Sequence, residues 1–350
     1  MARRPPRGLS PKLDAPPLAV RPLLPGFVSA FGLAYTPPMP RHRKPPVTTD
    51  HPGRISNFVR DKAALEGTGP RRVREILESR GLAPRRRFGQ NFLIREELAE
   101  RIVDHARIRE DDVVVEIGPG TGALTPHLAQ RARHLIAIEK DFGLAQYLNE
   151  EFADFPRVTI REGDFLETDL VAIAAEHGVA KLLVVGNIPY NITTPVIERI
   201  FEQRAVVRVA VLLVQKEYAE RLAAAPGTPE YGSLTLFARY HALLEPLMNV
   251  RASAFWPRPD VDSMLVRFFL RDEPPVVVPS EELLFRIIRG SFHMRRKQLM
   301  NTLEESLGIG KDKVERLARH AGIVPTRRGE TLTLDEFARL ARAAVDYLGE

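Results

Sequence analysis

The sequence of 350 residues contains no cysteine. This absence excludes a disulfide scaffold, thiolate zinc sites and thiol catalysis. Long apolar runs are missing too: none approaches the ~18 residues of a membrane-spanning helix, so we expect no integral membrane protein. The nine histidines include no H-x-x-x-H pair, which leaves a metal site without support. The sequence as a whole is 44% hydrophobic and 27% charged, which is the composition of a globular protein. Its length suffices for one large domain and a smaller one.

Basic residues and prolines are concentrated at the N-terminus. Residues 1–50 carry eight Lys/Arg and two Asp, and residues 51–89 carry ten Lys/Arg and four acidic residues. Each segment therefore has a net charge of +6, whereas residues 90–350 have a net charge of −6. Twelve of the 29 prolines lie in residues 1–50, and proline removes amide donors and disfavours helix in the preceding residue. We therefore predict a disordered, basic, proline-rich tail over residues 1–70.

This tail has three interpretations. An RNA-contacting arm fits its charge. A transit peptide fits its arginines and its few acidic residues, although the prolines interrupt an amphipathic helix. We favour the third, an extension that is dispensable or that follows from an upstream start codon. The first predicted helix spans residues 71–78 and ends at Gly81.

Short apolar segments alternate with helical patterns from residue 98 onward, where a helix is predicted over residues 98–108. Strands are predicted at residues 113–117, 135–138, 158–160, 182–185, 209–214 and 263–269, with a helix of about ten residues after the first of them. Helical crossovers place such strands in a parallel sheet covered on both faces. The pattern predicts a doubly wound, Rossmann-like α/β domain over residues 71–272.

A small all-helical domain is predicted over residues 273–350. Three prolines break the chain between residues 274 and 279, and Ser280 is placed to cap the next helix. Thr333 and Glu336 form a capping box for the last helix.

A glycine-rich turn follows the first predicted strand. Gly118, Gly120 and Gly122 fit the G-x-G-x-G pattern that is typical of S-adenosyl-L-methionine (SAM) sites. Gly118, Gly120 and Ala123 also fit the dinucleotide pattern G-x-G-x-x-G/A. Glycines let the backbone approach a ligand where a Cβ would collide. The turn alone leaves SAM, NAD and an ordinary turn without a ligand open.

Carboxylates follow the next two predicted strands. Glu139 lies 21 residues beyond Gly118, where it can accept hydrogen bonds from both hydroxyls of a ribose. Asp164 follows the third strand and can accept a hydrogen bond from the exocyclic amine of the cofactor's adenine. Ligands of open α/β sheets bind across these strand ends, so we expect both carboxylates to line a cofactor site. They suit SAM and NAD equally.

The fourth predicted strand ends in the tetrapeptide Asn187-Ile188-Pro189-Tyr190. It matches the Asn-(Ile/Leu/Pro)-Pro-Tyr box of methyltransferases that modify exocyclic amines of nucleic-acid bases. An adenine amine is a poor nucleophile because its lone pair is delocalised into the ring. The Asn187 oxygen and a backbone carbonyl next to Pro189 can each accept one amine hydrogen and so turn the lone pair toward a sulfonium methyl. Tyr190 can stack on a base that has left its helix.

From about residue 85 to its end, the chain resembles the KsgA (RsmA) family of ribosomal RNA adenine dimethyltransferases. Residues 87–93 resemble the opening motif of the family, and residues 255–263 resemble its F-x-P-x-P-x-V-x-S motif. Residues 291–303 are similar to a helix of the KsgA type with an Arg-Arg-Lys run. The related erythromycin-resistance methylases of large-subunit RNA lack that run.

The resemblance implies SAM as the cofactor and dimethylation of two adjacent adenines in the 3′-terminal hairpin loop of small-subunit (16S) rRNA. It implies a cytoplasmic monomer that acts on the pre-30S particle without a metal or a membrane. The implied cofactor-binding residues are Asn91, Leu93, Gly118, Gly120, Glu139, Asp164 and Asn187. The implied catalytic residues are Asn187, Pro189, Tyr190 and Phe255, with Phe255 facing Tyr190 across the target base. The implied RNA-binding residues are Arg295, Arg296 and Lys297.

Two other functions stay open at this point. A non-catalytic ribosome-assembly factor or mitochondrial transcription factor could keep the same fold, although the intact pocket motifs argue against it. A nicotinamide dehydrogenase is allowed by the glycines alone, but it leaves residues 187–190 unexplained. RNA binding without turnover would identify the first, and a preference for NAD over SAM would identify the second.

Overall fold

The computed structural model of the protein describes residues 69–85, 89–294 and 297–348. The predicted tail lies outside these ranges except for residues 69 and 70. A seven-stranded sheet forms the centre of the structure, and its inner strands are buried along almost their whole length, so that both faces of the sheet are covered. Helices follow the sheet to the C-terminus. The predicted α/β class with C-terminal helices is confirmed.

The elements have the following bounds. The strands are β1 Phe92–Leu93, β2 Val113–Ile117, β3 His134–Glu139, β4 Val158–Glu162, β5 Leu182–Asn187, β6 Val207–Gln215, β7 Ala242–Val250, β8 Phe255–Trp256 and β9 Ser263–Leu270. The α-helices are α1 Pro70–Ser79, α2 Glu96–Ala106, α3 Thr125–Arg131, α4 Phe142–Glu151, α5 Leu170–Glu176, α6 Thr193–Glu202, α7 Lys216–Ala223, α8 Ser233–His241, α9 Glu281–His293, α10 Leu299–Leu307, α11 Lys311–His320 and α12 Leu334–Leu348.

The strand order of the large sheet is β4-β3-β2-β5-β6-β9-β7. The chain runs outward from β2 to β4 and then returns to place β5 on the other side of β2, so the strand order reverses between β2 and β5. Ligands of such sheets bind outside the carboxyl ends of the strands at this reversal. All six predicted strands are confirmed. The five predicted strands that became β2 to β6 pair in parallel, as expected. The last predicted strand, β9, pairs antiparallel with β6, and the unpredicted β7 pairs antiparallel with β9.

The core beside the reversal point packs α2 and α3 against the sheet. Ile102 and Leu128 from these helices share one apolar cluster with Val114 of β2 and Leu183 of β5. Burial of one such side chain contributes about 1.5–3 kcal/mol. The cluster fixes the strand ends that carry the candidate site.

Helix ends explain two differences from the predicted bounds. The helix α2 ends two residues earlier than predicted because Arg107 adopts a left-handed conformation with φ of 49°. The helix α3 has seven residues instead of about ten, because Ala132 is extended with ψ of 147°. The chain therefore enters β3 sooner than the sequence suggested.

The C-terminal helices begin at the predicted caps. The Ser280 hydroxyl accepts a hydrogen bond from Leu283 N at 3.1 Å, and Glu336 accepts one from Thr333 N at 2.9 Å. The Tyr231 hydroxyl, which precedes α8, donates to the Leu332 carbonyl at 2.7 Å and so ties the helices to the sheet domain. A domain boundary between residues 272 and 273 stays a prediction. Among the described helices, none has both the length and the apolar character needed to cross a membrane.

Candidate active site

Segments that are distant in sequence meet at the carboxyl ends of β2 and β5. The strand β1 pairs antiparallel with β8, with Leu93 opposite Phe255, and Ile94 N donates to the Ala254 carbonyl at 2.9 Å. The Asn187 side chain at the end of β5 donates to the carbonyl of Asn91 at 3.0 Å. The structure thus brings the opening motif, the tetrapeptide of residues 187–190 and the Phe255 motif together, which their sequence positions alone do not show.

The glycine loop after β2 presents its backbone to open space. Gly118 and Gly120 have φ values of +59° and +61°, a conformation that favours glycine. A Cβ on Gly118 would meet no atom within 4 Å, whereas one on Gly120 would lie 3.1 Å from the Phe92 ring of β1. One side of the loop is therefore open to a ligand, and β1 covers the other.

Glu139 is held beside this loop at the end of β3. Its Oε2 accepts a hydrogen bond from Gly120 N at 2.9 Å, and its Oε1 accepts one from Asp141 N at 2.8 Å. Burial raises the pKa of Glu139, and the main-chain donors oppose that shift. Each carboxylate oxygen can accept a second hydrogen bond, so the group can also bind two hydroxyls of a sugar.

Asp164 lies at the same edge, one strand further along the sheet. Its Oδ1 accepts a hydrogen bond from Leu166 N at 3.0 Å, and its Oδ2 lies 2.5 Å from the Lys140 ammonium. Glu139 pairs with Glu162 in the register of β3 and β4, so Lys140 and Asp164 follow adjacent strand ends. Lys140 was not predicted as a site residue. Its position directly after Glu139 nevertheless places it at the same carboxyl edge of the sheet, which the sequence already indicated.

The Asn187 amide is oriented by the bond to Asn91. With Nδ2 donating to that carbonyl, Oδ1 is the acceptor, and it receives no hydrogen bond from the residues that the structure describes. The Pro189 carbonyl accepts a hydrogen bond from Ile192 N at 3.1 Å. The Ile188 carbonyl accepts none from the described part of the chain and is therefore the backbone acceptor that this turn offers.

Tyr190 and Phe255 differ in their surroundings. The Tyr190 hydroxyl lies 2.8 Å from the Ser263 hydroxyl, and burial raises the pKa of Tyr190, so the phenol stays neutral. Ser263 is the last residue of the Phe255 motif, residues 255–263. Its position in that motif was the feature of the sequence that could have indicated a contact with Tyr190. Phe255 is only 3% exposed and packs with Leu93 and Leu265. Its position across a base from Tyr190 stays a prediction.

Two of the three predicted RNA-binding residues, Arg295 and Arg296, lie outside the described residues, as do Arg87 and Phe88 of the opening motif. Lys297 is described and is exposed between α9 and α10. RNA binding by this run therefore stays a prediction.

Glu116 is a further carboxyl group of the site that sequence analysis missed. It lies in β2, is 1% exposed, and its Oε2 has no hydrogen-bond partner among the described residues. Burial, with the nearby Glu139 charge, raises the pKa of Glu116 to about 8, so the group is protonated at neutral pH. The sequence did contain an indication of this group, because Glu116 is the one charged residue in the otherwise apolar strand of residues 113–117. Within residues 69–85, 89–294 and 297–348, no group of three or more His, Cys, Asp or Glu side chains could hold a metal ion.

Comparisons with known proteins agree with this geometry. The family described as ribosomal RNA adenine dimethylase matches residues 81–344. Ribosomal RNA small subunit methyltransferase A of Geobacillus kaustophilus is 43% identical over 286 residues, which cover 80% of this chain and 98% of that protein. The protein of the same name from Bacillus mycoides is 42% identical over 281 residues, which cover 79% and 96% respectively.

Two solved structures share the fold. A dimethyladenosine transferase from Plasmodium falciparum has a TM-score of 0.60 at 24% identity, covering 72% of this chain and 96% of that one. The 23S rRNA methyltransferase ErmE has a TM-score of 0.56 at 27% identity, covering 72% of this chain and 99% of that one. The predicted Rossmann-like architecture is therefore that of known methyltransferases.

Proposed function

The chain belongs to the ribosomal RNA adenine dimethylase family, and we propose that it methylates the N6 amines of two adjacent adenines in the 3′-terminal hairpin loop of 16S rRNA. It is an enzyme that dimethylates ribosomal RNA. Its substrate is the small-subunit rRNA in the pre-30S particle, and it acts as a monomer. The observation that carries the proposal is the Asn187 amide, whose oxygen is left as an acceptor because its nitrogen donates to Asn91.

The residues at the carboxyl edge of the sheet fit SAM as the methyl donor. The open space beside Gly118 admits a ligand against the backbone. Glu139 can accept from both ribose hydroxyls, and Asp164 can accept from the adenine amine. Asn91 and Leu93 of the opening motif lie next to this edge of the sheet. The Asn91 carbonyl accepts a hydrogen bond from Asn187, and Leu93 lies opposite Phe255. When bound, SAM supplies a methyl group on a positively charged sulfur.

Asn187 and Ile188 prepare the target amine. The Asn187 Oδ1 and the Ile188 carbonyl each accept one amine hydrogen, which turns the nitrogen lone pair out of conjugation with the ring. Orientation of this kind supplies several of the roughly 7–11 kcal/mol that positioning can contribute to catalysis. No general base is required, because the methylated aminium loses its proton readily.

Tyr190 holds the target base after it has left its helix. The contact between its hydroxyl and Ser263 fixes the ring at the exit of β5. Stacking of a base on an aromatic ring contributes about 1–3 kcal/mol without selecting a particular base. Selection of an amine-bearing base therefore falls to the two acceptors at residues 187 and 188.

The test compares the unaltered chain with Asn187→Ala on unmethylated small subunits and methyl-labelled SAM. We expect initial rates of label transfer to fall about 100-fold or more, as when one preorganised hydrogen-bonding group is removed from an active site. Asn149→Ala is the matched control, because Asn149 also donates from Nδ2 to a main-chain carbonyl, that of Ala145 at 3.0 Å, but lies on α4. Its rate should stay within about twofold of the unaltered chain, as for a surface substitution.

Two results would contradict the proposal. Equal label transfer by the unaltered chain and Asn187→Ala would remove Asn187 from the reaction. Binding of the small subunit by the unaltered chain without any transfer would favour the non-catalytic assembly factor.

A further inference from the structure

Lys140 supplies a positive charge at the site assigned to the adenine of the cofactor. Its ammonium lies 2.5 Å from Asp164 Oδ2, with the Lys140 side chain 50% exposed and the Asp164 side chain 10% exposed. The other oxygen of Asp164 accepts from Leu166 N at 3.0 Å. The ion pair thus joins the ends of β3 and β4, where the proposed function places the adenine of the cofactor.

Lys140 pairs with Asp164 and not with Glu139 or Asp141, the two carboxylates beside it in sequence, because both of these already have other partners. Glu139 receives two main-chain hydrogen bonds, from Gly120 and Asp141. Asp141 caps α4 through Gly143 N at 3.0 Å and pairs with Arg85 at 3.0 Å. Both neighbours of Lys140 in sequence are therefore already engaged, and the ammonium reaches across to the next strand end.

We propose that Lys140 is a specificity-determining residue, which orients Asp164 and balances its charge so that the pocket takes a 6-amino purine and rejects a 6-oxo purine. The inference rests on the proposed function, since it assumes that the cofactor's adenosyl group lies at this edge. It assigns to Lys140 a role in recognition and none in the transfer step.

Hydrogen-bond chemistry explains the selection. A carboxylate in an ion pair can only accept, and its two oxygens offer about four acceptor positions. Oδ2 can therefore accept from an amine while it remains paired with Lys140. A 6-oxo purine would place a second acceptor against this oxygen, and a site built around an N–H donor rejects such an analogue strongly.

Ligand binding makes the positive charge more important. A base that covers Asp164 displaces the remaining water from the carboxylate, and a buried charge without a partner is costly. Lys140 is such a partner of Asp164. Replacement of Lys140 by an uncharged residue would remove this positive charge just when the base shields Asp164 from solvent.

The experiment measures dissociation constants of S-adenosylhomocysteine and S-inosylhomocysteine by isothermal titration calorimetry. We expect Lys140→Met to weaken binding of the adenosyl compound about fivefold and to leave the inosyl compound within about twofold, so that discrimination falls. Lys140→Arg should retain discrimination, because it keeps the charge. Asp164→Asn, whose amide can donate to a 6-oxo group, should move the preference toward the inosyl compound.

Lys181→Met is the matched control. Lys181 pairs with Asp272 at the same distance of 2.5 Å, with side chains 29% and 79% exposed, but it precedes β5 and so lies at the amino end of the sheet. Both dissociation constants should be those of the unaltered chain.

The possible contrary results separate the two proposals. Adenosyl binding by Lys140→Met that is as tight as in the unaltered chain, or equal weakening of both compounds, would overturn the role of Lys140 alone. Failure of the unaltered chain to bind either compound would overturn the proposed function together with this inference.

Discussion

Gly186 lies one residue before Asn187, where β5 passes close to β2. A Cβ on Gly186 would lie 2.7 Å from Ile188 Cδ1, 3.0 Å from Ile117 Cβ and 3.2 Å from the Ile117 carbonyl oxygen. Because the last contact is with main chain, the two strands must separate to accept a methyl group. We expect Gly186→Ala to lower the free energy of unfolding by about 1–3 kcal/mol, as overpacking of a core does, measured by urea unfolding. Methyl transfer should fall as well, because Asn187 moves with the strand.

Gly163→Ala serves as the comparison for this prediction. Gly163 follows β4, and a Cβ there would meet nothing within 4 Å. Its free energy of unfolding should stay within about 0.5 kcal/mol of the unaltered chain. Equal stability of the two alanine variants would show that the approach of β5 to β2 is not restrictive.

Side chains of the site could be predicted where a short motif carries the chemistry. Asn187 and Tyr190 stand in a tetrapeptide whose residue types match the acceptor and the stacking surface that an adenine amine needs. The group that orients Asn187 could not be predicted, because it is the main-chain carbonyl of Asn91, 96 residues away. A carbonyl is present at every residue and leaves no mark in the sequence.

Apolar runs located the central strands but not the sheet edge. The strands β2 and β5 are buried on both faces and consist of nearly continuous apolar residues, which the sequence displays directly. The strand β7 is interrupted at Pro246, where its register with β9 shifts, and it begins directly after α8 without a turn. Only its two end residues are buried, and its half-buried or exposed interior with a proline is typical of an edge strand, which a search for apolar runs overlooks.

His241 at the end of α8 lies where several elements meet. Its ring centroid is 5.0 Å from that of Phe201 on α6, 4.8 Å from that of Phe237, and 6.2 Å from that of Phe285 on α9. Neither ring nitrogen has a hydrogen-bond partner in the described ranges. Burial, aided by the charge of Arg204, lowers the pKa of His241 to about 3. The ring is therefore neutral in the folded chain.

This burial makes stability depend on pH. The unfolded chain takes up the His241 proton below its ordinary pKa of about 6.5, whereas the folded chain does so only near 3, so stability is lost as the pH falls between these values. At about pH 5 the loss is about 2 kcal/mol relative to about pH 7.5. We expect His241→Leu to remove that part of the pH dependence, measured by urea unfolding at both pH values.

The same substitution at His293 is the control, because this residue is exposed at the end of α9. His293→Leu should lose the same free energy between the two pH values as the unaltered chain. If His241→Leu loses as much, other groups account for the acid sensitivity. Near pH 7.5 His241→Leu should be within about 1 kcal/mol of the unaltered chain, because a ring with unpaired nitrogens is replaced by an apolar group of similar size.

At the scale of the whole molecule, charge and family coverage both set the N-terminal part of the chain apart. Residues 1–68 carry eleven Lys/Arg and four acidic residues, a net charge of +7, whereas residues 90–350 are acidic overall. The family match begins at residue 81. The Geobacillus relative is covered over 98% of its length by 80% of this chain, so a fifth of the chain has no counterpart there. The residues that we propose to recognise cofactor and base all lie beyond residues 1–68.

Removal of residues 1–68, which make up nearly all of the predicted tail, distinguishes an RNA-contacting arm from a dispensable extension. We expect the shortened chain to transfer methyl groups to small subunits within about twofold of the full rate at ~150 mM ionic strength, where charges more than about 8 Å apart are largely screened. At ~10 mM the full chain should bind RNA more tightly, because its additional Lys/Arg release counterions. The slope of log affinity against log salt should therefore be steeper for the full chain. A large fall in transfer by the shortened chain at ~150 mM would identify the extension as an RNA-contacting arm that the enzyme needs on its substrate.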